Sequence, residues 1–279
     1  MRHLLRLISR FGRAWYGLAL LGFGIEQLVL GAYPKGLLPV PSGLNWTAYA
    51  VGPLLLLSAG GLLAGKAVRP AVAVPALLFG VAFLALHLPK LGFTMAKTGA
   101  WTPAFEVLAL AAGALVLAAA PAPRRSYALE LPAAPNQPLF RAGQLLFAAS
   151  LLVFGVLHFL FAQFVATLVP AWIPGHLFWA YFVGVAFLAT ALSLVLRRQV
   201  GLATGWLGGM FSLWVLLLHG PRVAQKPTVE AEWTSLLVAL AMSGAAYSMS
   251  KLVPRASTSE TLAPEPMPTI INQEVGANS

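Results

Sequence analysis

The chain contains no cysteine and no aspartate, and only 9% of its 279 residues are charged. Without cysteine it cannot form disulfides, use a thiol in catalysis, or bind zinc or iron–sulfur clusters through thiolates. The sequence also lacks a Gly-rich phosphate-binding loop, a His-Glu-x-x-His metal motif and a serine in a nucleophile-elbow setting. A soluble domain normally carries about a quarter charged residues. These absences argue against the common soluble enzyme classes, and no metal site is predicted.

Hydrophobic residues make up 59% of the chain and come in unbroken blocks. A helix needs roughly 20 residues to cross a bilayer, and lipid cannot satisfy free backbone groups, so each block is predicted to be a helix. We therefore expect an all-α fold, a polytopic membrane helix bundle with eight transmembrane helices. The predicted spans are 14–33, 48–65, 70–88, 102–120, 141–166, 178–196, 201–219 and 233–250.

The net charge of +10 follows the predicted topology and does not indicate a nucleic-acid partner. With the N-terminus inside, 13 of the 18 Lys and Arg residues fall in cytoplasmic segments. The five on the outer side are Lys35, Lys90, Lys97, Arg222 and Lys226. Basic residues are retained on the cytoplasmic side during insertion. Both termini are therefore predicted to be cytoplasmic, and the expected partner is the lipid bilayer, with no nucleic acid.

The sequence contains an internal repeat of one unit. "LHLPK" at Leu86–Lys90 recurs as "LHGPR" at Leu218–Arg222. The same or nearly the same spacing joins Phe23-Gly24 to Phe154-Gly155, Pro39 to Pro170, Tyr49 to Tyr181 and Trp101-Thr102 to Trp233-Thr234. Four spans return the chain to its starting side, so the copies are expected to be parallel repeats about an axis along the membrane normal.

This repeat divides the chain into four parts. The first four-helix repeat is predicted at 1–120 and the second at 140–255, and these are called the first and second half below. Between them, residues 121–139 are rich in proline and contain arginines, which predicts a cytoplasmic linker. Residues 256–279 are rich in Pro, Ser and Thr without an apolar period, which predicts a disordered cytoplasmic tail.

Glycines spaced four residues apart lie on single faces of spans two and seven. Small residues at this spacing let helix backbones approach closely. The predicted helix-packing positions are Gly61, Gly65, Gly201, Gly205 and Gly209.

Polar residues in the spans cluster toward the predicted outer face. A charged group at the centre of a span costs about 3 kcal/mol on insertion scales, so such groups usually face the bundle interior and find partners. The candidates for binding a substrate or a quinone are Glu26, Gln27, His87, Lys90, Glu106, His158, His219 and Arg222.

Glu26 is the most informative of these residues because no other charge lies near it in the sequence. His87 and Lys90, at the outer end of span three, are its expected partners. His87 and His219 are expected to end spans three and seven. Two simpler interpretations stay open: the His-x-Pro-Lys/Arg sequences can be helix terminators with snorkelling bases, and the Trp-Thr pairs can be interfacial anchors.

Short sequences in the two repeats resemble a known family. Two of them lie at the end of the first helix of a repeat, and two lie further along the second repeat. "FGIEQL" (Phe23–Leu28) and "FGVLHF" (Phe154–Phe159) resemble the DoxX-like family of four-helix integral membrane proteins, as do "LVPAWIP" (Leu168–Pro174) and "YFVGVAF" (Tyr181–Phe187). The resemblance implies the bacterial cytoplasmic (inner) membrane. Because some relatives are linked to sulfur-compound oxidation with quinone as acceptor, it also implies a quinone and a redox partner protein.

The chain departs from this family in two ways. Members are typically single four-helix units, whereas this chain is doubled, and Gln27 of the first copy corresponds to His158 of the second. An asymmetric pair with one specialised site is therefore expected. Three functions stay open: a quinone-associated redox membrane component with its site near the outer face, a small-solute transporter, and a non-catalytic membrane scaffold or assembly factor.

Overall fold

The computed structural model describes residues 2–65, 67–93, 98–120 and 136–252, and in these ranges the chain is helical and contains no strand. Its α-helices, in chain order, are α1 (Arg2–Leu30), α2 (Ala48–Ala64), α3 (Val68–Ala82), α4 (Leu88–Phe93), α5 (Trp101–Ala118), α6 (Gln137–Leu160), α7 (Ala162–Leu168), α8 (His176–Leu196), α9 (Val200–Trp214), α10 (Gly220–Gln225) and α11 (Glu230–Leu252). The all-α prediction is confirmed for the described residues, and a helix lies at each of the predicted span positions.

Six helical segments of the described chain are long and apolar enough to cross a membrane. They are Ser42–Ala64, Val68–Leu91, Trp101–Ala118, Gln137–Leu160, His176–Leu196 and Val200–Gln225. The other two long helices carry more polar groups, since α1 contains Arg13 and Glu26, and α11 begins with Glu230 and Glu232. The fold therefore defines a multi-pass helical membrane protein.

His87 and His219 lie inside continuous helical segments, so the prediction that they end spans three and seven is wrong. A π-helical turn at Phe83–His87 joins α3 to α4, and another at Val215–His219 joins α9 to α10. A π turn inserts an extra residue into a helix without ending it. The proline two residues after each histidine comes directly after the π turn, within the continuing helical segment.

The first helix of each half packs against the last helix of the other half. α1 packs between α2 and α11, and α6 packs between α5 and α8. α3 lies on α5, α9 lies on α11, and α5 and α11 contact each other. These two helices are buried along most of their described length, so the core follows them.

Glycines allow the closest helix crossings. A Cβ added at Gly244 of α11 would lie 2.5 Å from the backbone N of Tyr16 and 2.7 Å from the carbonyl oxygen of Gly12, both on α1. A Cβ added at Gly24 of α1 would lie 2.9 Å from the carbonyl oxygen of Gly52 on α2. Since backbone atoms cannot move aside as side chains do, larger residues at these positions would force the helices apart.

The predicted packing glycines of α9 make looser contacts. On α9 the closest approach is at Gly208, where an added Cβ would lie 2.8 Å from the ring of Tyr247 on α11. An added Cβ would meet nothing nearer than 3.3 Å at Gly201, Gly205 and Gly209. Gly65 ends α2 with a φ of 67°, a left-handed conformation that favours glycine, and Gly61 is half-buried one turn earlier.

The predicted linker is only partly described. Residues 121–135 of it, and the whole predicted tail 256–279, lie outside the described residues. α6 begins at Gln137, within the predicted linker and before residue 140. Asn136 explains this start, because its side-chain oxygen accepts a hydrogen bond from the Leu139 backbone N–H (3.3 Å) and Pro138 lies in the first turn.

Candidate functional site

A cleft of about 200 Å³ lies in the first half, between α1, the loop after α1 (residues 31–47), α2 and α3. Its walls are apolar except for Gln27 and Tyr33. Val81 is 53% exposed and Ala85 is also exposed, and both line the cleft. The cleft therefore opens sideways, on a face of the segment Val68–Leu91 that is long and apolar enough to cross a membrane.

Gln27 is the polar group at the inner wall of this cleft. Its side chain is only 2% exposed, and its Oε1 atom is buried with no hydrogen-bond partner. A buried amide without a partner costs about 1–3 kcal/mol, judged from mutations in proteins. Such groups are rare in folded proteins and need an explanation. A bound molecule that donates a hydrogen bond to Oε1 would remove this cost.

Hydrogen bonds hold the loop that covers the cleft. His87 Nε2 lies 3.0 Å from the Leu37 carbonyl oxygen, and since that oxygen can only accept, Nε2 is the donor. Thr47 donates to the Leu44 carbonyl oxygen (2.6 Å), so the Tyr33 hydroxyl is the donor in its 2.8 Å bond to Thr47 Oγ1. His87 therefore positions the loop and does not itself line the cleft.

Replacing His87 by leucine is expected to loosen residues 31–47. The Leu37 carbonyl oxygen would lose its donor, which costs about 1–3 kcal/mol for a buried group. The measurements are thermal melting in detergent and hydrogen exchange of the loop. His219→Leu is the matched control, because Nδ1 of His219 is buried without a partner. Equal protection of the loop in both variants would contradict the positioning role of His87.

In the second half, the position that corresponds to Gln27 is occupied by His158. His158 Nδ1 donates to the Phe154 carbonyl oxygen (2.8 Å), so this polar group is satisfied within α6. Its ring meets Phe187 edge-on at 5.1 Å between ring centroids. Phe187 in turn contacts Trp214 at 5.9 Å, and Trp214 contacts Phe211 at 5.3 Å. Aromatic rings thus fill the region beside His158.

At two cleft-lining positions the first half carries a side chain without a ring where the second half carries an aromatic one in the same register. At the spacing that relates His87 to His219, Leu55 corresponds to Phe187 and Ala82 corresponds to Trp214, and both first-half residues line the cleft. A neighbouring ring is common to both halves, since Phe79 corresponds to Phe211 at the same spacing. Sequence reasoning missed Leu55 and Ala82. A comparison of side-chain size between the repeats was the signal that could have found them.

Glu26 faces away from this cleft, toward the other half. Its Oε1 accepts a hydrogen bond from Thr234 Oγ1 of α11 (2.8 Å), and its Oε2 is buried without a partner. The expected pairing with His87 is wrong, because His87 bonds to the loop after α1. Nearby, the backbone N–H of Lys35 donates to Oε1 of Glu230 (2.8 Å), which ties that loop to the start of α11.

The remaining candidates are dispersed. Lys90 is exposed on α4, Glu106 is half-buried on α5, and His219 and Arg222 lie at the second π turn and on α10. None of these four side chains lines the cleft. Of the predicted binding residues, Gln27 alone belongs to it.

The fold and the cleft together define a multi-pass helical membrane protein with an apolar cleft that opens sideways. Across the described ranges, no three His, Asp or Glu side chains come together in a way that could hold a metal ion. Comparison with protein-family models, curated proteins and solved structures gives no match to the chain.

Proposed function

We propose that this chain is a DoxX-like protein of the bacterial inner membrane that binds a quinone from the lipid in the cleft at Gln27, as the quinone-associated component of a redox system. Its eight helices cross the membrane as two parallel four-helix repeats, with both termini in the cytoplasm. The observation that carries the proposal is the apolar cleft with a single buried amide whose Oε1 has no partner, because a hydroxyl group of the reduced form, quinol, would donate a hydrogen bond to that oxygen.

Matching elements support the repeated architecture. α9 begins and ends at the residues that correspond to the two ends of α3, and the π turns at Phe83–His87 and Val215–His219 keep the same spacing. The helix contacts are also equivalent under exchange of the halves, since α1 on α11 corresponds to α6 on α5. A repeat relation between the halves accounts for both regularities at once.

The size of the cleft favours a small ring over a larger ligand. An apolar cavity of about 150 Å³ can hold benzene, whereas pockets for drug-sized ligands occupy about 300–1,000 Å³. The cleft, at about 200 Å³, fits one substituted head group. Because it opens sideways past Val81 and Ala85, a hydrophobic tail attached to that ring can remain in lipid.

The chemistry of Gln27 suits both redox forms of a quinone. Its Oε1 accepts a hydrogen bond from a quinol hydroxyl, and its Nε2–H donates to a quinone carbonyl oxygen. Reduction to quinol requires two electrons and two protons. The proposal assigns delivery of the electrons to a redox partner protein, while the apolar walls and the covering loop keep the head group away from bulk water.

Replacing Gln27 by leucine distinguishes a role of this residue in quinone binding from a role in stabilising the fold. The variant is expected to bind quinone about 3- to 10-fold more weakly, because one neutral hydrogen bond contributes about 0.5–1.5 kcal/mol. It is also expected to be more stable than the parent when ligand-free, by about 1–3 kcal/mol, since the buried amide is removed. A quinone with a short tail, titrated into protein in lipid nanodiscs, measures the affinity, and thermal melting measures the stability.

His158→Leu is the matched control for this experiment. It removes the polar group at the corresponding position of the second half and is expected to leave quinone affinity unchanged. If neither the purified parent protein nor the titrated protein binds quinone, the proposal fails. Solute uptake by vesicles that depends on Gln27 would instead support a transporter, and an absence of both activities would support a scaffold.

A further inference from the structure

The two halves surround the region beside Gln27 and His158 with the same apolar framework. Phe23 and Phe79 of the first half correspond to Phe154 and Phe211 of the second. In both halves the paired rings lie close together or share neighbours, as Phe23 and Phe79 do at 6.2 Å. The framework is therefore constant, and the difference between an open and a filled region depends on the remaining side chains.

Two aromatic side chains of the second half correspond in sequence to ring-free residues that line the cleft of the first half. Phe187 contacts Phe154, Phe211 and Trp214, with ring centroids 5.8 to 5.9 Å apart. The corresponding first-half residues, Leu55 and Ala82, lack rings. In the second half, the side chains that pack against these shared phenylalanines are therefore flat aromatic rings, at tilted and edge-to-face angles.

We propose that the second half carries a closed copy of the binding site, in which Phe187 and Trp214 occupy the volume that the ring of the ligand occupies in the first half. Leu55 and Ala82 are smaller than Phe187 and Trp214, so only the first half has room for the ligand. Each chain therefore has one binding site. This inference rests on the proposed function and deepens it, because it identifies the ligand as a flat ring and names the residues that decide which half binds it.

The polar groups of the two halves agree with this assignment. Gln27 has a buried oxygen without a partner, as expected for a site that its ligand completes. His158 has its hydrogen bond to the Phe154 carbonyl oxygen already, as expected for a site that has no ligand. Once the rings of the second half are removed, the Nε2 atom of His158 becomes the group available to a bound ring.

The test opens the closed copy in the full-length protein. The double variant Phe187→Leu/Trp214→Ala copies the first-half side chains into the second half. In lipid nanodiscs, equilibrium dialysis with a short-tailed quinone is expected to give one bound quinone for the parent and two for the variant. Trp206→Ala, which removes a 75% exposed indole from the same helix as Trp214, is the control and is expected to keep one.

The outcomes separate the inference from the proposed function. A parent that binds one quinone and a folded double variant that still binds one overturns the inference and leaves the proposed function standing. A parent that binds none overturns both. Because the double variant loses two buried rings, Trp214→Ala alone is measured as a milder opening, and a folded single variant whose bound quinone stays at one, even at saturating quinone, also overturns the inference.

Discussion

The double variant Leu55→Phe/Ala82→Trp is expected to abolish quinone binding while the protein stays folded. The added rings would fill the cleft, so the head group could no longer enter. We expect affinity to fall by about 100-fold or more, which corresponds to about 2.8 kcal/mol. Thermal stability is expected to be maintained, because the second half already accommodates the same two side chains in the same framework. Titration with quinone and thermal melting measure the two effects.

The control for this variant makes the same alanine-to-tryptophan change outside the cleft. Ala73 lies on the same helix as Ala82 and is exposed, and it is not part of the cleft lining. Ala73→Trp is expected to bind quinone like the parent. If Leu55→Phe/Ala82→Trp is folded and binds quinone with undiminished affinity, the ligand is bound elsewhere on the protein.

Among the described glycines, replacing Gly244 by alanine is expected to have the largest effect on stability. The new Cβ would lie 2.5 Å from the backbone N of Tyr16 and 2.7 Å from the carbonyl oxygen of Gly12. α1 and α11 would have to separate, which would also break the hydrogen bond between Thr234 and Glu26. We expect a loss of about 4 kcal/mol, or a melting temperature lowered by about 10 °C.

Gly80→Ala is the matched control, because it is the same substitution within α3 and an added Cβ there meets nothing within 4 Å. Alanine is a better helix former than glycine by about 0.8–1.0 kcal/mol, so this variant is expected to melt at the same temperature as the parent or slightly higher. If the two variants melted alike, the close crossing of α1 and α11 would be wrong.

The positions of the helices could be predicted from the sequence because lipid imposes one solution on every long apolar block. Span 48–65 was predicted where α2 runs from Ala48 to Ala64, and span 178–196 ends with α8 at Leu196. The continuation of the helical segment past His87 could not be predicted in this way. A proline after an apolar block usually indicates a helix end, and the π turn that removes this constraint has no clear sequence signature.

The candidate site was only partly predictable. Gln27 was recognised because a polar residue within a predicted membrane span is costly to bury and usually has a partner or a function. The partner of Glu26 was missed because Thr234 lies far along the chain and in the other half, whereas reasoning from the sequence favoured neighbours in the same half. The cleft itself was missed because it results from small side chains at Leu55 and Ala82, and space is not visible in a residue pattern.

The packing of α1 against α11, the last helix of the other half, has a consequence for biosynthesis. α1 is synthesised well before α11, against which its Gly12 and Glu26 pack. Until α11 is made, the Glu26 side chain lacks its hydrogen bond from Thr234. This ionisable group is then exposed to lipid or held by the insertion machinery. The crossing of α1 and α11 can therefore form only after the helices between them have been made, and nascent chains that stop before α11 are expected to be substrates for membrane quality-control proteases.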